Sequence, residues 1–231
     1  VVNIGMALLA PAIPLLRDDL SASADEAQLV LSAFLIMLGL GQLVAGSMSD
    51  TLGRRPVLLA GSLLFTVAGA AALISPNIEL LIVARALQGF GASACMAVGR
   101  VIINDSFDKT EAGRQLSTIT MIMAIVPMLG FASGGLVADI IGWRGTVGIM
   151  VITAGVIFLA NMALLAETNH NRVARAPILK VVGVFYLLLR KREFVVHATS
   201  GALLTAAFFA LGGFMPYEFP RLGASATMIG S

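Results

Sequence analysis

At 231 residues, 58% hydrophobic and only 12% charged, the chain is too apolar for a soluble globular domain, where about a quarter of residues carry charge. Its single cysteine rules out a disulfide framework, and a net charge of +2 gives no basis for a nucleic-acid partner. A mean hydropathy of +0.94 fits an all-α polytopic membrane protein, with about 20 predominantly apolar residues per spanning helix.

Hydropathy marks seven apolar segments: Val1–Leu16, Ala27–Met48, Pro56–Ile74, Ile78–Ile103, Gln115–Ala138, Gly145–Ala166 and Phe194–Met215. The first is short and opens on Val1-Val2-Asn3 with no basic region, so no cleavable signal peptide is visible, and the chain reads as starting part-way into its first helix. Short polar loops join the segments. An eighth stretch, Ile178–Leu189, is apolar, but Lys180 and Arg190 leave only nine uninterrupted residues, which suits an interfacial helix better than a span. The expected organisation is a six-helix bundle over 1–166, a linker with an interfacial helix over 167–193, and helix seven with the start of a second bundle over 194–231. The tail Ala226-Thr227-Met228-Ile229-Gly230-Ser231 reads as the entry to a further helix.

Loop charge orients the segments. Even-numbered connections hold Arg54 and Arg55, then Arg100, Lys109 and Arg114, then Arg172, Arg175, Lys180, Arg190, Lys191 and Arg192. Odd-numbered connections hold Arg17 and Arg144, and Arg221 follows helix seven. Eleven against three is a strong positive-inside bias, which puts loops 2–3, 4–5 and 6–7 in the cytoplasm.

Within the loop after helix two, Gly53 supplies backbone freedom and Pro56 suits the first turn of the next helix. Asp50 sits just past a helix end, where its own dipole disfavours it, so it needs a positive partner. In the fourth segment Arg85 stands among apolar residues, a placement costing from about 3 to above 10 kcal/mol at mid-depth and therefore a functional candidate. Arg85, Gln88, Ala92 and Met96 share one broad helical stripe. If that stripe faces a central cavity, Arg85 and Gln88 are wet. An arginine stays charged, so it acts only by tuning an acid or a water, and helices one to six show no intramembrane acid. The weaker cavity candidates are Gln28, Met96 and Met123, the methionines because they adapt to varied ligands; Asn3, Asn161 and His197 are further polar residues in or near the helices. Gly130 and Gly134 lie on one face of helix five with Ala138, a spacing that lets helices approach closely. Pro127 interrupts that helix and needs compensation from neighbours. Gly39, Gly41 and Gly46 read as packing residues.

Gly46, Asp50, Gly53, Arg54 and Arg55 resemble the Gly-x-x-x-Asp-x-x-Gly-Arg-Arg signature of the major facilitator superfamily. Arg85, Gln88 and Gly89 resemble that family's fourth-helix motif, and Pro127–Gly135, including Gly130 and Gly134, resembles the antiporter motif of its drug-exporting branch. Gly142-Trp143-Arg144 and Glu167-Thr168 fit the same pattern, which is most similar to twelve-helix drug:proton antiporters, particularly the bicyclomycin-resistance (Bcr/CflA) type. Two positions depart from it: Phe131 stands where the antiporter motif carries proline, and Ala7 stands where the bicyclomycin branch often carries an acid ahead of Pro11-Ala12-Ile13-Pro14.

The resemblance implies a major facilitator fold, here the six-helix N-terminal bundle plus one helix of the second, and secondary transport by alternating access. It implies proton-coupled efflux of drugs or other amphipathic compounds across the cytoplasmic membrane, driven by the proton gradient without a cofactor. The implied partners are the lipid bilayer, protons and a small-molecule substrate, and the full-length protein is expected to be monomeric. Arg85, with Gln88 and Gly89, takes the proton-coupling role, while Asp50, Arg54, Arg100 and Asp105 form a cytoplasmic latch. Each exposed pair is worth at most about 1 kcal/mol, but a few kcal/mol bias two global states. The alternative is a uniporter or symporter for a sugar or metabolite. No phosphate-binding loop, metal cluster or nucleophile–base set points to an enzyme.

Overall fold

Pro11 decides the form of the first helix. In the computed structural model, which describes residues 2–169, 183, 187–203 and 206–207, that segment is two short helices. These are α1 (Val2–Leu9) and α2 (Ile13–Asp19), joined by a 3-10 turn at Ala10–Ala12. Proline has no N–H to continue the α ladder, and the tighter turn absorbs the break. Helix continues to Asp19, beyond the expected end at Leu16, because Arg17-Asp18-Asp19 is polar without being helix-breaking.

The next helices carry their own start signals. Ser23 and Glu26 form a capping box ahead of α3 (Ala24–Leu52): the Glu26 N–H donates to Ser23 Oγ at 3.2 Å and the Ser23 N–H to Glu26 Oε2 at 2.8 Å. Gly53, at φ 108°, is the only residue between α3 and α4 (Arg54–Leu73). Only glycine adopts that backbone without strain. Asn77 caps α5 (Ile78–Ser106), and Asp108 caps α6 (Lys109–Leu164).

The fifth and sixth expected helices are not separated by a loop. They form one helical stretch broken at Gly142 (φ 73°, ψ 178°). Ile122 and Met123 before that break line the same cavity as Ile157 and Asn161 after it, so the arms 109–141 and 143–164 run back along each other. Four helical stretches are long and apolar enough to cross a membrane: Ala24–Leu52, Arg54–Leu73, Ile78–Ser106 and Ser133–Leu164. The described residues contain no strand. Residues 192–203 and 206–207 are helical, beginning two residues before the expected seventh segment, and so are 183 and 187–189 within Ile178–Leu189. The rest of those segments, most of the linker and the tail Ala226–Ser231 lie outside the described residues.

α5 packs between α3 and α4, while the arms of α6 cover α1 and α4. Small residues set these approaches. A Cβ on Gly61 would lie 2.8 Å from the Gly91 carbonyl oxygen, and one on Gly41 2.7 Å from Ser93 Cβ. Gly39 and Gly46 have open space beside them, so of the three packing glycines expected on α3 only Gly41 makes a close approach. Leu9, Ile13, Leu16, Val30, Phe34, Phe65, Leu81 and Met150 form the core, and Ile36, Val67, Ile140 and Ile152 are exposed on the outside, as suits a lipid-facing surface. The bundle therefore has two polar ends. One carries Asp50, Arg54, Asp105 and Glu167; the other carries Asp19, Ser75, Trp143 and Arg144.

Candidate functional site

Arg85 and Gln88 lie one turn apart on α5, and neither has any solvent exposure. Arg85 Nη1 donates to Gln88 Oε1 at 2.6 Å, and Gln88 Nε2 donates to the Phe65 carbonyl at 3.4 Å. Met150 Sδ lies 3.9 Å from Arg85 Nη1 and 3.8 Å from Gln88 Nε2; Met6 Sδ lies 3.6 Å from Arg85 Nη2. The guanidinium sits 4.6 Å from the centre of the Phe34 ring, within cation–π range. It forms no ion pair with a described residue, and its Nε has no hydrogen-bond partner among them. A cation with five donors is thus held by one amide oxygen, two soft sulfurs and a π face. Gly89 brings α3 onto this centre, because its bare Cα faces the Phe34 carbonyl.

The expected wet stripe is only partly realised. Ala92 and Met96 reach a cavity of about 430 Å³ between α4, α5 and the two arms of α6, but Arg85 and Gln88 are sealed from it. Met123 also lines that cavity, and so do Leu58, Phe65, Arg100 and Asn161. Gln28 is half-buried near the start of α3, away from the cavity, with its carbonyl accepting from Ser32 Oγ.

At one end of the bundle Arg54 gathers the helix termini. Its Nη1 donates to Asp50 Oδ1 at 2.5 Å and to Ser49 Oγ at 2.9 Å, and its Nε donates to Asp105 Oδ2 at 3.0 Å. The family resemblance placed Arg100 in this cluster, and the structure corrects that. Arg100 is five residues before Asp105, nearly half a helical turn round, and it faces the cavity with Met96, Gly99 and Ile103. The place of a further member is taken by Glu167. Gly53 at the N-cap of α4 has no side chain to offer, and Glu167 supplies the cap from 113 residues away: it accepts from the Arg54 N–H at 2.8 Å and the Arg55 N–H at 3.3 Å. Asn169, whose N–H also donates to Glu167, caps the other side, its Nδ2 reaching the Ser49 and Asp50 carbonyls at 3.3 and 3.1 Å. Arg55 Nη2 bonds the Met162 carbonyl at 2.9 Å. One strap, 167–169, therefore ties the end of α6 to both α3 and α4. Burial pushes the Glu167 carboxyl up, but the N–H groups of Asn169, Arg54, Arg55 and Thr168 outweigh it and hold it below the ordinary glutamate range. Gly46 adds only its carbonyl, which accepts from Ser49 Oγ.

The glycine motif of α6 lies against the first helix. A Cβ on Gly130 would come within 2.6 Å of Ala7 Cβ, and one on Gly134 within 2.6 Å of the Leu8 carbonyl oxygen. Pro127 and Gly135 are buried in the same arm. Ala7, where an acid is absent, is thus the residue Gly130 packs against. At the opposite end Asp19 accepts from Trp143 Nε1 at 3.0 Å and from Arg144 Nη1, while Arg144 Nη2 reaches the Ser75 carbonyl at 3.3 Å. Trp143 first, then Arg144, holds the Asp19 carboxyl below the ordinary aspartate range. Asp19 ends α2 and Trp143 follows the break at Gly142, 124 residues away, and no sequence spacing announces their contact. No group of three His, Cys, Asp or Glu among the described residues comes together as a metal site.

The sequence matches the Major Facilitator Superfamily profile over residues 1–231. It is 34% identical over 221 residues to the "Uncharacterized MFS-type transporter YdgK" of Bacillus subtilis (strain 168), covering 94% of this chain and 54% of that protein. It is 34% identical over 177 residues to a "Chloramphenicol resistance protein" of Pseudomonas aeruginosa, covering 74% and 41%. A "Multidrug resistance protein D" of Escherichia coli (strain K12) is 33% identical over 149 residues, covering 64% and 38%. The chain spans about half the length of the curated relatives it matches. Its fold is similar to that of the human organic anion transporter MFSD10 (TETRAN), with a TM-score of 0.70 at 17% identity over 99% of this chain and 66% of that one. A D-xylose–proton symporter gives 0.66 at 16% identity, over 99% and 61%. On its family profile and its helical fold, this chain belongs to the major facilitator superfamily, a family of membrane transporters.

Proposed function

We propose that this chain forms the first bundle of a twelve-helix exporter, which moves small amphipathic compounds out of the cell against inward proton flow. The observation that carries the export reading is the seam of Gly130 and Gly134 against Ala7 and Leu8, which packs the antiporter-like motif tightly on the first helix. Relatives named for chloramphenicol and multidrug resistance support the same reading. The Arg54 end is the cytoplasmic one, by its excess of arginine and lysine, and the membrane is the cytoplasmic membrane.

In this reading the strap 167–169 and the Arg54 cluster make the ends of α3, α4, α5 and α6 move as one body. Alternating access is then a rocking of that body against the second bundle. Arg85 remains a cation throughout and acts by favouring the charged form of an acid or water that the second bundle brings to it. The transporter is a monomer, needs no cofactor and draws on the proton gradient.

The test is substrate-dependent proton movement. Vesicles carrying the transporter that contains this chain, acid inside, receive chloramphenicol or ethidium. Antiport dissipates the gradient on addition of substrate. Proton movement in the same direction as the substrate, or none, assigns the bundle instead to a symporter or uniporter of sugars or metabolites and overturns the export reading. The 231-residue chain alone is expected to give no proton-dependent dye efflux.

A further inference from the structure

The cavity between α4, α5 and the arms of α6 belongs neither to the Arg85 centre nor to the Arg54 cluster. At about 430 Å³ it falls in the size range of small-molecule sites. Its walls are apolar: Leu58, Phe65, Met96, Ile119, Ile122 and Met123. Polarity is sorted to one end. Arg100 and Asn161 lie at the end nearer Arg54, and Ser62, which lies deeper, already donates its hydroxyl to the Leu59 carbonyl at 3.1 Å. No carboxylate among the described residues lines the cavity. The described acids at that end are engaged elsewhere: Asp50 and Asp105 by Arg54, Glu167 and Asp108 by backbone N–H groups, and Glu111 by the Gln115 amide. Arg100 is exposed at the mouth and forms no ion pair with a described residue.

An apolar slot with one uncompensated cation and an amide at its rim is complementary to a molecule of a particular kind. We propose that this cavity binds a small amphipathic anion, its head at Arg100 and Asn161 and its apolar body between Phe65, Met96 and Met123. A cationic amphiphile of the same length would meet Arg100 with like charge, and a neutral one would forgo the charge-assisted bonds. The carboxylate or phosphate head could belong to a free acid or to a lipid. The site lies within one bundle and does not depend on the transport reading.

Cys95 lines the cavity and is the only cysteine of the chain, so it reports occupancy without engineering. The full chain in phosphatidylcholine nanodiscs is alkylated with monobromobimane in the presence of laurate, dodecyl phosphate, dodecyltrimethylammonium or dodecanol. Laurate and dodecyl phosphate are expected to slow alkylation severalfold, and the other two to leave it near the rate without additive. Arg100→Gln raises the laurate concentration for half-protection about fivefold, the equivalent of about 1 kcal/mol, and Arg100→Lys restores most of it. Met123→Trp, which fills the slot, slows alkylation with no additive present. Replacing part of the phosphatidylcholine by phosphatidylglycerol distinguishes the sources: protection by the lipid itself assigns the head to a phospholipid, and protection by laurate alone to a free acid. Equal protection by the cation and the anion, or an unchanged laurate response in a folded Arg100→Gln chain, overturns the proposal.

Discussion

Glu167→Ala removes the only side-chain cap that the described residues place on the N-terminus of α4. Two backbone N–H groups, Arg54 at 2.8 Å and Arg55 at 3.3 Å, lose their acceptor, and Gly53 has no side chain to replace it. A helix cap is worth about 0.5–2 kcal/mol, and an anion at a helix N-terminus adds about 0.3–1 kcal/mol. The two overlap, because the same carboxylate supplies both, so the expected loss is about 2 kcal/mol rather than their full sum. Glu167→Gln keeps a neutral acceptor and is expected to lose about half of that. The pH dependence follows from the depressed carboxyl. Its folded pKa lies below the unfolded value of about 4.3, so the stabilisation is complete above that value and is lost as pH falls through the folded pKa. The gap between wild type and Glu167→Gln should therefore be constant near neutrality and close as the sample is acidified toward the low-pH side of that range. Circular dichroism during dodecyl sulfate unfolding at several pH values measures both quantities. A Glu167→Ala chain as stable as wild type, or a gap that widens on acidification, refutes the cap.

Gly134→Val places a Cβ 2.6 Å from a backbone oxygen that cannot swing aside, so it should cost about 1–3 kcal/mol in the same unfolding assay. Gly130→Ala meets Ala7 Cβ instead, and the double change with Ala7→Gly should recover most of the loss, a coupling of about 1 kcal/mol. Asp19→Ala leaves the Nε1–H of Trp143, a residue only 3% exposed, without its acceptor; emission of this single tryptophan should shift to the red, with about 1 kcal/mol of stability lost. Because the Asp19 carboxyl is held low in the fold, its contribution should be present above the ordinary aspartate pKa of about 3.9 and fade as pH falls through the lower folded value. Asp105→Asn should weaken the Arg54 cluster by about 1 kcal/mol, read by the same unfolding curves, since Asp50 and Ser49 still hold Arg54.

Most of the helical frame was legible because it follows from local rules. Gly53 between α3 and α4 and Pro56 in the first turn of α4 are short-range signals, and the limits inferred from hydropathy for the first four segments fall within four residues of the helices, whereas the fifth begins at Lys109 and not at Gln115. The first segment and the fifth–sixth junction were less so. Pro11 marks a break but not that a 3-10 turn repairs it, and hydropathy left 139–144 as a loop where one positive-φ glycine suffices.

The clusters divide the same way. Asp50 with Arg54 is a local pair four residues apart, and both follow from one loop. Glu167 is joined to Arg54 only by the return of α6, a contact that periodicity within one helix does not contain. Arg100 shows the converse error. The family resemblance put it with Asp105 in a shared cluster, yet helical rotation turns it to another face. For Arg85 the sequence showed the cost of burial and the nearby amide, while Met6, Phe34 and Met150, which hold the guanidinium, come from three other segments.

The claim on which the functional reading turns is that Arg85 couples protons and does not merely hold the bundle together. Arg85→Met keeps an apolar side chain of similar length and removes a buried cation that has no described counter-charge, so the fold should be as stable as wild type or more so. The most direct measurement is the substrate-induced collapse of a pH gradient across vesicles carrying the transporter, with Arg85 and with Met in its place. Expected is collapse in the first and none in the second, with both proteins folded. Collapse at the same rate in both would contradict the role of Arg85 in coupling.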